Sequence, residues 1–412
     1  MLMYILLKDL FLKGLWLYFI LMLSNPETLG AQTSGSITRG KANAIYNDLL
    51  PGCPSNHKTP LGSITSTDQK KWLVPTDSTW INAVKLHDLY NSCSNTLPAR
   101  LTDVDLRKVK AVTIDPLGDT ITAYLFCDNY FELYINGQLV GVDAVPFTPF
   151  NSSVAKFVVS KPYTIAVKLV DWEENPGLGT EVQGSNLYYS GDGGFIAAFS
   201  DGTVTDASWK TQSFYIAPLD NPDFIDELPS GVHSTTRASN TPACTTDCYG
   251  VHYDIPANWQ QAAFDDHAWP DAVLYNATQV TNQPAYTNFA ASAWANAKFI
   301  WSSNLFLDNV VLSRKQVGTP NTLADFQNTG IRIQNPVQGN LNGKTTIPMK
   351  DVAISITDAS GRSVLSKEWG QMDANTDFEL DLKNQPLIPG IYLLCLKHSN
   401  GRFCMRISVQ AE

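Results

Sequence analysis

The sequence predicts an all-β protein built around an antiparallel β-sandwich. Short apolar runs alternate with polar residues and are separated by turn signals. Asn136-Gly137, the strongest short hairpin signal, sits between two such runs. No long stretch with helical spacing interrupts the series. In chain order the expected strands are Trp72–Pro75, Ala111–Asp115, Ile121–Phe126, Phe131–Ile135, Gln138–Gly141, Ala155–Val159, Tyr163–Val170, Gly194–Phe199, Ser213–Ile216 and Asn304–Leu312. Many short strands of this kind imply a sandwich or barrel rather than a parallel α/β sheet.

Residues 1–31 read as a signal peptide. Lys8 and Lys13 precede an uncharged run from Gly14 to Pro26, and Leu29-Gly30-Ala31 offers a small residue for cleavage before Gln32. The run is well short of the ~20 residues a bilayer helix needs, so no mature membrane span is expected. Residues 32–60, rich in Ser, Gly, Asn and Pro, read as a linker or N-terminal arm. Residues 61–315 form the sandwich and 316–330 a hinge.

Residues 331–412 form a separate small β module. Its pattern is Ile331-x-Ile333-Gln334-Asn335-Pro336, then Ala353-Ile354-Ser355-Ile356-Thr357-Asp358-x-x-Gly361-Arg362, then Ile388-Pro389-Gly390-Ile391-Tyr392, with turns at Ala359-Ser360-Gly361 and Ser399-Asn400-Gly401. In that order the segments resemble the C-terminal sorting domain of the type IX secretion system of Bacteroidetes. The resemblance implies an immunoglobulin-like β-sandwich tail that engages the secretion machinery. It also implies export across the inner and then the outer membrane, commonly with tail removal and attachment to surface lipopolysaccharide. The expected location is secreted or on the outer cell surface.

A second resemblance covers roughly residues 65–315. Asp128-Asn129-Tyr130-Phe131-Glu132-Leu133-Tyr134-Ile135-Asn136-Gly137, then Asp201-Gly202-Thr203 with Ser208-Trp209-Lys210, then Phe264-Asp265-Asp266 with Trp269-Pro270, are similar to the galactose-binding-like jelly rolls appended to many glycoside hydrolases. A closer likeness, through Pro146–Asn151 and Lys168–Glu174, is to the β-rich region that accompanies YHYH domains in marine Bacteroidetes proteins. The Tyr-His-Tyr-His motif itself is missing, so nothing is carried over from that neighbouring domain.

Composition narrows the function classes. A net charge of −10, without clustered Lys and Arg, argues against nucleic acid. Six scattered histidines give no His-Glu-x-x-His spacing, and no nucleophile elbow or phosphate loop is present. Export permits disulfides among the seven cysteines. Cys244 and Cys248 are near enough to bridge a loop, Cys53 with Cys93 would tie the N-terminal segment, and Cys395 with Cys404 face each other across the tail hairpin. A zinc site at Cys244-x-x-x-Cys248 lacks a second ligand pair. The sequons at Asn151 and Asn276 read as exposed loops.

The most suggestive cluster is Asp171-Trp172-Glu173-Glu174, where the Tyr163–Val170 strand runs out into a long loop. Two functional readings stand beside a solvated loop with a core tryptophan. One is structural Ca²⁺ held by Asp171 and Asp192, since hard oxygen ligands suit that ion. The other is a sugar site in which Trp172, Tyr188 and Tyr189 stack on the pyranose while Glu173 and Glu174 bond its hydroxyls. The Gly191-Asp192-Gly193-Gly194 loop fits a tight turn. Asp265 and Asp266 fit turn hydrogen bonds better than a glycosidase carboxylate pair. Trp301, beside Ser302-Ser303-Asn304, reads as a loop-surface residue.

The sequence thus implies an exported, non-catalytic carbohydrate-binding sandwich whose partner is an extracellular glycan. A carbohydrate-active enzyme with a loop-assembled site, or a protein-binding adhesin, remains the alternative. Deleting residues 331–412 is expected to leave the protein in the periplasm in cell fractionation. Normal surface display of the truncated chain would contradict the sorting role.

Overall fold

The structure is a computed structural model. It describes residues 34–53, 57–116, 118–147, 151–236, 244–318, 324–325, 330–358, 361–385, 387–399 and 401–410. The signal peptide lies outside the described residues, as do parts of the hinge and of the tail turns at 359–360 and 400. Two compact units emerge. One comprises Met1–Lys110, Thr122–Lys156 and Ala166–Lys315, and the other Ala111–Ile121, Phe157–Ile165 and Gln316–Glu412.

Two seven-stranded sheets form the body of residues 34–317. The first runs in the order Ser36–Arg39, Tyr249–His252, Lys210–Leu219, Asp308–Val317, Tyr163–Val170, Tyr130–Ile135 and Gln138–Val142. The second runs Val273–Tyr275, Phe299–Trp301, Gly194–Phe199, Asp119–Asp128, Asn151–Val159 and His87–Asn91, with Ala111–Thr113 on Asn151–Val159. Phe131 of the first sheet meets Phe195 of the second, ring centroids 6.1 Å apart, so alternate apolar residues of both sheets share one core. Asn136 and Gly137 adopt φ of 50° and 84° and close the hairpin that pairs Ile135 with Gln138. Both residues lie in the left-handed region that a two-residue turn requires.

The N-terminal segment is paired with other strands. Ser36–Arg39 pairs antiparallel with Tyr249–His252, Ser36 opposite His252 and Arg39 opposite Tyr249, and Asn43–Tyr46 pairs with Leu61–Thr65. Four-residue strands are too short to carry a periodic signal, and the first finds its partner over 200 residues away. Ser36–Arg39 extends the first sheet at its edge, whereas Leu61–Thr65 and Lys71–Val74 lie on its outer side, where Ile64 and Val74 pack with Tyr130, Val170, Trp172 and Val310. That sheet is therefore covered on both faces. This is why every residue of Tyr163–Val170 is buried.

Covering the outer face buries charge. Lys168 and Glu132 are 3% and 1% exposed and stand 2.6 Å apart; Lys168 also reaches Asp77 at 2.6 Å, and the Tyr134 hydroxyl donates to Glu132 at 2.6 Å. The sequence alternation places both charges on a face that would otherwise be solvated. Each is satisfied by the other once the covering layer removes water.

Other local expectations are revised by burial. Trp301 is fully buried and its Nε1 donates to Asp308 O at 3.0 Å, so it is not at a loop surface. Asn151, with Ser152 and Ser153, lies buried in a strand, whereas Asn276 is exposed. The structure pairs Cys53 with Cys93, Cys244 with Cys248 and Cys395 with Cys404, and leaves Cys127 free and buried.

The tail is a β module with its own core. Its long strands Met349–Thr357, Ser363–Met372, Gly390–His398 and Gly401–Gln410 pair in antiparallel fashion, and Val337–Gln338 joins Gly401–Gln410 in parallel. Alternation directs Val352, Ile354, Ile356, Leu394, Leu396 and Ile407 inward with Ile331, Ile333 and Leu341. Asp358 closes one turn by accepting from Arg362 N at 3.0 Å, with Gly361 at φ 84°.

Lys168→Met is expected to lower stability by ~3–5 kcal/mol in denaturant unfolding, because Glu132 is left buried and unpaired. Lys168→Met with Glu132→Leu should recover most of that loss. A single-variant loss under about 1 kcal/mol would contradict the buried-pair reading.

Candidate functional site

Two sites stand on the described body, and neither coincides with the cluster singled out from sequence. The first is a concave cleft of about 360 Å³ on the outer side of the first sheet. Gln212 and Phe214 reach it from Lys210–Leu219, His252 and Tyr253 from the Tyr249–His252 strand and its exit, and Trp72 from Lys71–Val74. His233 arrives on the small hairpin of Asp226–Glu227 with His233–Ser234, and Trp269 on the loop beyond. Ser36, Ser230, Gly231, Asp254 and Pro256 complete the rim.

The cleft is held by stacked rings. His233 stacks on Tyr253 with centroids 3.7 Å apart, and His252 lies between Tyr215 at 4.3 Å and Trp72 at 4.9 Å. Lys70 covers the other face of Trp72 at 4.2 Å and pairs with Asp254 at the rim. Burial, with the nearby Lys70 charge, pushes His252 down to about 3, and its Nε2 lies 3.0 Å from Thr38 Oγ1. Burial also lowers His233, whose Nε2 meets Ser213 O. Both imidazoles are neutral at neutral pH, so the interior offers rings and hydrogen-bonding groups without net charge. Gln212 Oε1 is buried and has no hydrogen-bond partner.

The second site is a nest of carboxylates. Asp128 ends the Asp119–Asp128 strand, Asp171 follows Tyr163–Val170, Glu181 opens the hairpin of Glu181–Gln183 with Asn186–Tyr189, and Asp192 precedes Gly194–Phe199. Burial, then the neighbouring Asp192 and Glu181 charges, raises Asp128 well above the usual carboxylate range; burial, then Glu181 and Asp192, does the same to Asp171. Glu181 and Asp192 are raised as well, burial leading in each. Among the described residues no three Asp, Glu, His or Cys side chains already form a metal-holding group.

The expected sugar contacts are separated. Trp172 is 1% exposed, packs edge-on against Tyr130 and donates through Nε1 to Pro60 O at 3.2 Å, so it has no free face for a sugar. Glu173 is buried and accepts from Gly179 N and from the Tyr215 hydroxyl at 3.1 Å. Glu174 accepts from Lys58 N at 2.7 Å and Val182 N at 2.8 Å and lies 3.0 Å from His57 Nδ1. Both glutamates therefore staple loops instead of reaching outward. Tyr188 remains exposed on its hairpin, while Tyr189 is half-buried. Asp265 accepts from His267 N at 3.0 Å, the turn role expected, whereas Asp266 pairs with the distant Arg314, 2.8 Å from its Nε. Asp128, Glu181 and the whole aromatic cleft escape sequence reasoning. Asp128 does stand at the head of the Asp128-Asn129-Tyr130 segment, but nothing in the sequence brings it to Asp171.

Residues 335–410 match the secretion system C-terminal sorting domain. The protein carries a type IX sorting tail and is secreted or attached to the outer surface. No curated protein matches the chain. Weak likeness to solved structures includes a lectin from Pleurotus ostreatus in complex with GalNAc, at 14% identity, 80% of this chain, 82% of that one and TM-score 0.14. A β-D-glucuronidase for Dictyoglomus thermophilum matches at 10% identity, 91% and 44% coverage and TM-score 0.14, and the BSP domain of a biofilm associated protein at 9%, 92% and 68%, and 0.16. At such TM-scores these likenesses carry no argument about fold or ligand. Among the described residues no helix is long and apolar enough to cross a membrane.

Stability should depend on pH in two opposed ways. Burial pushes Glu173 up to about 7 although Gly177, Gly179 and Tyr215 donate to it, and the carboxylate nest is raised in the same direction. The stability these groups confer is complete below an unfolded value near 4.5 and is lost as pH rises through the folded values. The lowered histidines act oppositely, their contribution being lost as pH falls below 6.5 toward about 3. Above pH 6.5 only the carboxylates change. In chelator, Tm is expected to fall between about pH 6.5 and 8, where Glu181, pushed up to about 8 by burial and the Asp192 charge, still differs in protonation between the folded and unfolded chain. A Tm that rises across that window would contradict the assignment.

Proposed function

We propose that the protein is an exported, non-catalytic glycan-binding module, delivered to the outer surface or the medium by its sorting tail, with the aromatic cleft as its ligand site. The observation that carries this reading is the cleft itself. It is concave, of about 360 Å³, floored by buried rings and one unpartnered amide oxygen, and rimmed by serines. A neutral, hydroxyl-rich ligand suits such a surface. Ring edges and C–H patches make apolar contact, while Gln212, Ser36 and Ser230 meet hydroxyls. An anionic sugar is less well matched, because Asp254 stands at the rim and the chain is acidic overall.

The cleft's titratable groups favour holding over chemistry. His252 is kept neutral by burial, His233 is tied to Ser213 O, and Asp254 is paired with Lys70. A general acid or base needs a group poised near neutral pH and free to meet substrate. The two sheets joined by the Phe131–Phe195 contact are in keeping with a galactose-binding-like jelly roll, and that finer fold belongs to this proposal. The exposed Tyr188 remains a candidate for peripheral sugar contact, whereas Trp172 does not.

The mature chain should bind neutral oligosaccharides on a glycan array. Ser230 is exposed at the rim, so Ser230→Trp should fill the cleft mouth and weaken binding at least about tenfold while leaving Tm unchanged, a loss of ~1.4 kcal/mol or more. Absence of binding to any glycan, or binding untouched by Ser230→Trp, would overturn the proposal. Release of reducing sugar from a substrate panel would instead establish the enzyme alternative.

A further inference from the structure

The carboxylate nest lies apart from the aromatic cleft and shares no lining residue with it. Asp171 and Glu181 line a narrow recess together with Thr180 and Asn309. Asn309 and Thr180 are each 1% exposed, yet Asn309 Oδ1 and Thr180 Oγ1 have no hydrogen-bond partner. A buried amide oxygen and a buried hydroxyl left unsatisfied are each costly, and here both border the same recess as Asp171, Glu173 and Glu181, with no Lys or Arg in its lining. We propose that Asp171 and Glu181, completed by the oxygens of Asn309 and Thr180, bind one Ca²⁺ ion.

No Lys, Arg or His lines the recess beside Asp171 and Glu181, so a bound dication is the group that would balance their charge. The donor set is entirely oxygen and mixes carboxylate, amide and hydroxyl, which suits a hard cation and excludes the nitrogen and sulfur ligands of zinc. Its ligands come from separate strands and loops without the rigid octahedral arrangement Mg²⁺ demands, so Ca²⁺ is favoured. Gly191, at φ 74°, passes so close to Asp171 that a Cβ would stand 2.7 Å from its Oδ2, and the chain can approach the carboxylate there only as glycine.

The test uses the mature full-length chain, stripped with chelator and titrated with CaCl₂ or MgCl₂ while heat and Tm are recorded. Ca²⁺ is expected to bind with a Kd of about 10⁻⁴ M or tighter, in the range of extracellular sites, and at about one hundredfold excess over Kd to raise Tm by roughly 5–10 °C, with Mg²⁺ giving much less. Asp171→Asn with Glu181→Gln should abolish the Ca²⁺ response while unfolding cooperatively in chelator at or above the wild-type Tm, because neutral isosteres relieve the repulsion. Asn309→Ala, which keeps every carboxylate, should weaken Ca²⁺ about tenfold. No binding heat and no Tm change up to about 10 mM Ca²⁺ overturns the proposal, and so does a Ca²⁺ response that survives intact in the double carboxylate variant. Glycan binding by the Ser230→Trp variant is read separately, so the two proposals fail or stand independently.

Discussion

The double covering of the first sheet is the constraint on which the rest of the body depends. One face meets the second sheet through Phe131 and Phe195, and the other is capped by the N-terminal strands and the Trp259–Trp269 segment. A strand buried on both sides can carry charge only in pairs, hence Lys168 with Glu132. It also sends its exits into buried ground, which is why Asp171, Trp172 and Glu173, just past Tyr163–Val170, are buried although they read as a solvated loop. The aromatic cleft is the place where the capping layer leaves a gap over the same face.

What could be read from the sequence follows from how local each signal is. Asn136-Gly137 acts within four residues, and both residues adopt the predicted left-handed backbone. The strands Tyr163–Val170 and Gly194–Phe199 show themselves through unbroken apolar runs, and the sorting tail through a chain of such runs with turns between them. The pairing of Ser36–Arg39 with Tyr249–His252 was not legible, because its register rests on partners over 200 residues apart and on only four residues. The same distance hides the cleft: Trp72, Gln212, His252 and Trp269 lie on four separate segments and share no motif.

The four residues of the Asp171-Trp172-Glu173-Glu174 cluster serve different ends in the fold. Acidic residues at a strand exit do mark a special place. Glu173 and Glu174, however, spend their oxygens on backbone N–H groups and the Tyr215 hydroxyl, and Trp172 fills the core beside Tyr130. Asp171 borders the recess with Glu181, Thr180 and Asn309. Sequence alternation cannot separate these fates, since it assigns faces and says nothing about whether a later segment covers them.

On the proposed function, ligand occupies the aromatic cleft and not the exposed hairpin of Asn186–Tyr189. Hydroxyl-radical footprinting of the mature chain, with and without a glycan that it binds, tests this most directly. The account predicts that Trp72 and Tyr253 become protected while Tyr188 is oxidised at an unchanged rate. Protection of Tyr188 with Trp72 and Tyr253 unaltered would contradict it.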